Sequence, residues 1–196
     1  MAAGRRREAA SGFAGLVRFD RRTFLLVPRK GDREVYDDYI ISHRRAAARA
    51  APELGFAIPE RGAPYPESSL PAQFLAQRVG RTAPERLEAL EDQIFRAFFS
   101  RLEDISKREV LERAAAAAGV PPAEVGAALS DPAEKERAFR EHREGHTGGI
   151  DGIPALLIPG ARPIVGAVPA EVYREAIASA LKHGAATPRA GAERDS

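Results

Sequence analysis

The chain has 196 residues, 44% of them hydrophobic, and a formal net charge of +2, which suits a single domain with a substantial core. It contains no cysteine, so its own side chains cannot form a disulfide, supply a thiolate or build a cysteine-based metal site. Thiol–disulfide exchange begins with a thiolate attacking a disulfide sulfur, and these residues alone cannot perform it.

The distribution of apolar and charged residues limits the cellular locations and the binding partners that the protein can have. No apolar run approaches the roughly 20 residues of a membrane span, and no apolar signal segment follows the N-terminal arginines. We therefore expect a cytoplasmic protein with no membrane partner. Residues 1–50 carry 12 Lys and Arg against 6 Asp and Glu, but they show no nucleic-acid-reading motif, so no nucleic-acid partner is predicted.

The first half of the chain contains one strand candidate and one clear helix. Residues 16–28 are rich in β-branched and aromatic side chains and predict a strand. Residues 35–51 predict a helix that stops at Pro52, because Ala and Arg favour helices and Pro cannot continue one. His43 is expected to lie on the exposed surface of this helix.

Apolar spacing and cap residues predict further helices in the middle of the chain. Ser69 can cap a helix in which Pro71 lies in the first turn. Apolar residues at i, i+3 and i+4 predict a helix over residues 87–102. Ser106 and Glu109 have the spacing of a capping box for the helix that follows.

That helix should end at Gly119, a residue type common just past helix ends. A short helix over residues 121–129 and a charged helix over residues 133–145 are predicted next. His142 and His146 are four residues apart, the spacing of two metal ligands on one helix face. No third ligand is evident, so we expect two solvated histidines and predict no metal site.

Residues 148–160 are the most informative stretch. A glycine-rich turn leads into Pro154 and a short apolar run of strand length. Pro cannot donate a hydrogen bond to a sheet, so at a strand start it lies at an edge or a bulge, and X-Pro bonds are the ones that adopt the cis form. A second short run begins at Ile164. Residues 170–182 then have helical spacing, with Val172, Ile177 and Leu181 expected on one face.

This order, with Gly166-Ala167 after the second run, resembles the C-terminal half of a DsbA-type thioredoxin domain. The most similar branch is FrnE-like and shares its fold with 2-hydroxychromene-2-carboxylate isomerases and kappa glutathione transferases. In that family the proline is cis and faces a redox dithiol, and the backbone before it pairs with substrate. The resemblance therefore implies that Ile153 and Pro154 bind substrate, with no catalytic or metal-binding residue assigned in this chain.

The resemblance implies an α/β, thioredoxin-like fold for residues 1–183, with an all-helical insertion at about residues 35–147 and a disordered tail at 184–196. Residues 4–9 resemble the stretch that follows the Cys-Pro-Trp-Cys motif of FrnE-like proteins, and residues 24–28 resemble the end of the second sheet strand. The preceding N-terminal strand has no counterpart here. Its absence would expose a sheet edge and predicts a homodimer. Gln73 replaces a histidine usual in the family.

Three functions stay open at this point. The first is a thiol–disulfide oxidoreductase acting on protein thiols or disulfides, of which this chain lacks the N-terminal strand and the cysteine-containing turn. The second is an isomerase or transferase of the same fold with glutathione as its cofactor. The third is a non-catalytic domain that binds an extended peptide beside Ile153 and Pro154 by strand addition.

Overall fold

A computed structural model of the chain describes Glu8 and residues 11–25, 34–166 and 168–182. The chain divides into two compact units, Met1–Asp20 with Gly145–Ser196, and Arg21–Glu144. The predicted domain boundaries stay a prediction, and the predicted tail at 184–196 lies outside the described residues. None of the described helices is both long and apolar enough to cross a membrane.

Helices dominate the described chain. The helices are α1 (Asp38–Ala50), a 3₁₀ turn (Pro52–Leu54), α2 (Leu70–Thr82), α3 (Pro84–Phe95), a π-helical turn (Arg96–Ser100), α4 (Arg108–Ala117), α5 (Pro122–Ser130), α6 (Pro132–Thr147) and α7 (Ala170–Lys182). Strands β1 (Ala155–Leu156) and β2 (Ile164–Val165) pair antiparallel between α6 and α7. They form the one sheet found among the described residues.

The core of the larger unit lies where α2, α3, α4 and α5 pack together. Leu75 and Val79 are four residues apart on α2, so both face the same side, and both are fully buried. Leu90 of α3, Leu111 of α4 and Val125 of α5 are buried in the same cluster. The 3.6-residue period of these apolar residues is thus the feature that assembles the unit.

The end of α4 confirms the predicted stop at Gly119. Gly119 has φ +71°, and its N–H donates to the Ala116 carbonyl at 3.0 Å. The Val120 N–H donates to the Ala115 carbonyl at 2.8 Å, and the Val120 side chain is buried. This pair of bonds is a Schellman motif, which satisfies carbonyls that the helix itself leaves without partners.

Helix α1 begins later than predicted, and α2 begins as predicted after Ser69 but without the predicted side-chain cap. Helix α1 begins at Asp38 rather than 35, because Val35 forms a β-bridge with Pro64 and the Asp37 carboxylate accepts from the Ile40 N–H at 2.8 Å. Ser69 makes no side-chain cap; the hydroxyl oxygen of Ser68 accepts from the Leu70 N–H instead.

The predicted capping box before α4 is wrong as well. The N-cap position is Lys107, and no side chain caps the helix there. The Ser106 hydroxyl is buried with no hydrogen-bond partner among the described residues. The Ser106 N–H instead donates to the Asp104 carboxylate at 2.9 Å, so a local turn at Asp104 took precedence over the cap.

The helix predicted over residues 87–102 divides into α3 and the π-helical turn. Arg44 is buried beside this turn and donates to the carbonyls of Phe98 at 3.3 Å and Phe99 at 3.2 Å. Its guanidinium also lies over both of these aromatic rings. Burial lowers the pKa of Arg44 below its usual value. A cation thus satisfies the C-terminal carbonyls that the turn exposes.

The strand predicted over residues 16–28 does not form in its described part, residues 16–25. The Thr23 N–H donates to Glu141 Oε2 at 2.8 Å, and the Leu25 N–H donates to His142 Nδ1 at 3.3 Å. Side chains of α6 therefore occupy donors that a neighbouring strand would use. Residues 26–28 lie outside the described residues.

Two glycine substitutions test how much of the larger unit depends on the turn at Gly119. We expect Gly119→Ala to lower the free energy of unfolding by about 1–2 kcal/mol, because an L-residue is strained at this φ. Gly126 lies inside α5, and a Cβ there would meet only the flexible end of Arg108, so Gly126→Ala should raise stability by about 0.5–1 kcal/mol. Urea unfolding of both variants checks this. Equal effects of the two substitutions would contradict the assignment.

Candidate functional site

A glycine turn at the end of α6 directs the chain into the hairpin. The Gly149 N–H donates to the His146 carbonyl at 3.0 Å, and the Ile150 N–H donates to the Gly145 carbonyl at 2.9 Å. Gly149 has φ +81°, which an L side chain rarely adopts. Ile150 is buried directly after it. This second Schellman motif fixes the path by which the backbone reaches Ile153.

The hairpin places Ile153 and Pro154 at its entrance. The peptide bond between them is cis. The Gly166 N–H donates to the Pro154 carbonyl at 2.7 Å, and the register pairs Ala155 with Val165 and Leu156 with Ile164.

This pairing shows which edge of β1 is open. Directly opposed residues alternate between bonded and non-bonded pairs in an antiparallel ladder. Since Pro154 and Gly166 are a bonded pair, Ala155 and Val165 are a non-bonded one. The N–H and C=O of Ala155 therefore point away from β2, toward the outer edge of β1. Within the described part of the chain, no strand pairs with that edge.

Apolar side chains are exposed around this edge. Ile153 is 46% exposed, Leu157 52% and Val165 40%. A Cβ at Gly152 would come within 3.4 Å of Val165 Cγ1, so the backbone at 152 lies close against β2. The hairpin thus combines an open backbone edge with apolar side chains at its entrance.

Helix α7 supports the second strand of the hairpin. The Tyr173 hydroxyl donates to the Gly166 carbonyl at 3.0 Å, and the Val168 N–H donates to the same oxygen at 3.0 Å. The Gly166 carbonyl therefore accepts two hydrogen bonds, while the Gly166 N–H donates to Pro154. Sequence analysis overlooked Tyr173, although its i+3 spacing from Ala170 marks it as part of an inward face.

The predicted inward face of α7 was only partly right. Val172 and Leu181 are 40% and 44% exposed, whereas Ile177 is buried. The buried face consists of Ala170, Tyr173 and Ile177. The prediction used aliphatic side chains alone and left out the large amphipathic side chain of Tyr173. The predicted buried face of α7 was therefore rotated about the helix axis from the observed one.

The structure describes contacts of His43 and His142. Among the described residues, no group of three or more His, Cys, Asp or Glu side chains could hold a metal ion. His43 is exposed, as predicted, with Nδ1 2.8 Å from the Tyr39 carbonyl. The interpretation of His142 as a solvated residue was wrong, because it bonds the Leu25 N–H and packs edge-on against Phe24.

An open cavity of about 450 Å³ lies in the larger unit, and its described lining comes from α6 alone. The lining residues are Pro132, Lys135, Glu136, Phe139, Arg140 and Arg143. None of the hairpin residues lines it. The hairpin is therefore the better candidate site, because there the backbone itself offers directed hydrogen-bonding groups.

Comparison with known proteins agrees with this architecture. The family model of the DSBA-like thioredoxin domain matches residues 46–178. A search of curated proteins found no match. A probable DsbA oxidoreductase from Streptomyces coelicolor is 24% identical, with a TM-score of 0.75, 97% of this chain covered and 87% of that one. A putative protein disulfide isomerase from Nitrosomonas europaea is 18% identical, with a TM-score of 0.76 and coverages of 92% and 90%. These likenesses show a thioredoxin-like DsbA fold, mostly helical with a small sheet.

The hydroxyl of Tyr173 provides a test of how the hairpin is supported. We expect Tyr173→Phe to lower the free energy of unfolding by about 0.5–1 kcal/mol, because the Gly166 carbonyl keeps only its bond from Val168. Tyr39→Phe on α1 is the control, since the Tyr39 side chain is largely exposed. Thermal unfolding measures both. A Tyr173→Phe protein as stable as the wild type would show that this bond does not support the hairpin.

Proposed function

Because this chain belongs to the DSBA-like thioredoxin domain family, we propose that it takes part in thiol–disulfide exchange on protein substrates by binding the substrate backbone. The proposed binding surface is the outer edge of β1 together with Ile153 and Pro154. The sequence has no cysteine, so the thiolate that carries out the exchange would come from outside these residues.

The open edge of β1 is the observation that supports this proposal. Ala155 directs one donor and one acceptor outward, which is the pattern that an extended peptide needs in order to add a strand. Hydrogen bonds from the backbone are independent of the substrate's side chains. Such an edge therefore suits a domain that binds protein substrates of differing sequence.

Pro154 and Ile153 suit the start of this edge. Pro154 has no N–H, and its carbonyl is already bonded to Gly166, so it offers an incoming chain no competing group. No hydrogen bond joins the backbone of Ile153 to another described residue. Its exposed side chain can cover an apolar side chain of the peptide.

Binding of this kind would contribute to exchange by orientation. A peptide held along β1 has a fixed direction, so a disulfide within it is presented to a thiolate at one place rather than by random collision. Residues of this chain would bind and orient the peptide and would not transfer electrons. Cytoplasmic location and a homodimer stay predictions.

Glutathione is the second candidate ligand, because it is itself a short peptide and can use the same backbone edge. It corresponds to the isomerase or transferase function. Tighter binding of glutathione than of an unrelated extended peptide would favour that function over protein substrates.

A charge at the entrance of the hairpin tests the proposed surface. The probe is a fluorescein-labelled extended decapeptide in which serine replaces cysteine, so that binding is measured without any exchange. We expect Ile153→Asp to weaken its binding about tenfold in fluorescence anisotropy, because a carboxylate replaces an apolar contact. Val172→Asp on α7 is the matched control, since Val172 is similarly exposed.

The control should bind the decapeptide as the wild type does. Equal weakening by the two substitutions, or no saturable binding by the wild type, would contradict the proposed surface. Saturable binding of glutathione with none of the decapeptide would replace protein substrates with the glutathione-linked function.

A further inference from the structure

We propose that His142 of α6 is a pH-sensitive latch that, beside a second contact from Glu141, holds the extended segment 21–25 at neutral pH and releases its Leu25 end under mild acid. This inference concerns the larger unit and does not depend on the proposed function. It starts from the unusual way in which the N–H groups of Thr23 and Leu25 are satisfied.

Two neighbouring side chains of one helix bind alternate residues of the segment. Glu141 Oε2 accepts from the Thr23 N–H at 2.8 Å, and His142 Nδ1 accepts from the Leu25 N–H at 3.3 Å. Residues two apart in an extended chain direct their N–H groups to the same edge. The two side chains therefore take the place that a neighbouring strand would have.

Further contacts hold the segment against helices α2 and α6. The Thr23 hydroxyl donates to Gln77 Oε1 at 3.0 Å, and Gln77 Nε2 donates to the Glu134 carbonyl at 3.1 Å. The ring of Phe24 packs edge-on against the ring of His142, with centroids 4.9 Å apart. Thr23 and Leu25 are both buried. Losing the His142 contact would thus leave the buried Leu25 N–H without its acceptor.

Protonation would reverse the role of the His142 ring nitrogen. Nδ1 of His142 can accept only when it carries no proton, so its other ring nitrogen must carry the proton at neutral pH. Histidine is the side chain whose charge ordinarily changes between pH 5 and 8. The imidazolium would turn an N–H toward the Leu25 N–H, and two donors cannot bond. Mild acid therefore removes the His142 contact.

Several other charged side chains of the packed elements form ion pairs of their own. Arg21 of the segment pairs with Glu91 of α3, Arg22 of the segment pairs with Glu144 of α6, and Arg81 of α2 pairs with Glu134 of α6. Arg78 of α2 pairs with Glu124 of α5, and Arg140 of α6 lies 4.0 Å from Glu144. Lys135, Glu136, Arg137, Arg143 and His146 are the remaining charged or titratable groups of α6. Of all these groups and His142, it is His142 that bonds the Leu25 N–H, so its protonation acts on that bond directly.

The latch keeps a strand-forming sequence out of strand pairing at neutral pH. Residues 23–25 are Thr, Phe and Leu, which favour strands, yet none of them is in a strand. Once the His142 contact is lost, the Leu25 N–H would be open to pairing with another extended chain. The device therefore controls whether the Leu25 N–H is bonded to a helix side chain or is open to another chain.

Amide hydrogen exchange at pH 7.5 and 5.5, corrected for intrinsic rates, tests the latch in the whole chain. We expect protection of the Leu25 amide in the wild type to fall about five- to tenfold at pH 5.5, as the loss of one hydrogen bond predicts. His142→Gln keeps an acceptor that does not titrate in this range, so its protection should be the same at both pH values. His146→Gln on the same helix is the control and should keep the pH dependence of the wild type.

Protection of Leu25 that is unchanged by pH in the wild type would overturn the latch, and so would the same pH dependence in His142→Gln. If His142→Gln fails to fold, long-range ¹H–¹⁵N spectra of the wild type decide the question. The latch requires an unprotonated Nδ1 at pH 7.5 and a protonation midpoint that coincides with the loss of Leu25 protection. A protonated Nδ1 at pH 7.5 would exclude it.

Discussion

The glycine turn that closes α6 is the constraint on which the candidate site depends. The N–H groups of Gly149 and Ile150 bond the carbonyls of His146 and Gly145, and this is sterically inexpensive because residue 149 is glycine at φ +81°. The burial of Ile150 then holds the end of the turn in place. Residues 151–153 then connect this turn to Pro154.

The turn leads into strand β1, which has one edge hydrogen-bonded to β2. No strand of the described residues pairs with its other edge. Pro154 bonds Gly166 through its carbonyl alone, Ala155 directs its polar groups outward, and Tyr173 holds Gly166 from α7. These are backbone features, and they do not require cysteine. A cysteine-free chain of the DSBA-like family can therefore retain the surface that we propose as its peptide-binding site, although thiol–disulfide exchange needs a thiolate from outside these residues.

The sequence predicted the features that depend on local chemistry. The stop at Gly119, the hairpin order and the helix at 170–182 follow from residue types at adjacent positions, and all three agree with the structure. Features that depend on distant partners were missed. The segment at 16–25 has a strand-like composition, but Glu141 and His142 occupy its N–H groups from more than 100 residues away. No local signal shows that pairing, nor the turn at Asp104 that displaced the expected cap at Ser106.

The most direct test of the account is the exchange rate of the Ala155 amide in the free protein and in the presence of a saturating, cysteine-free extended peptide. If the outer edge of β1 binds the peptide backbone, exchange at Ala155 should slow by about tenfold or more, while Leu156, which already pairs with Ile164, should change little. Unchanged exchange at Ala155 with the peptide demonstrably bound would contradict the account and place binding elsewhere on the protein.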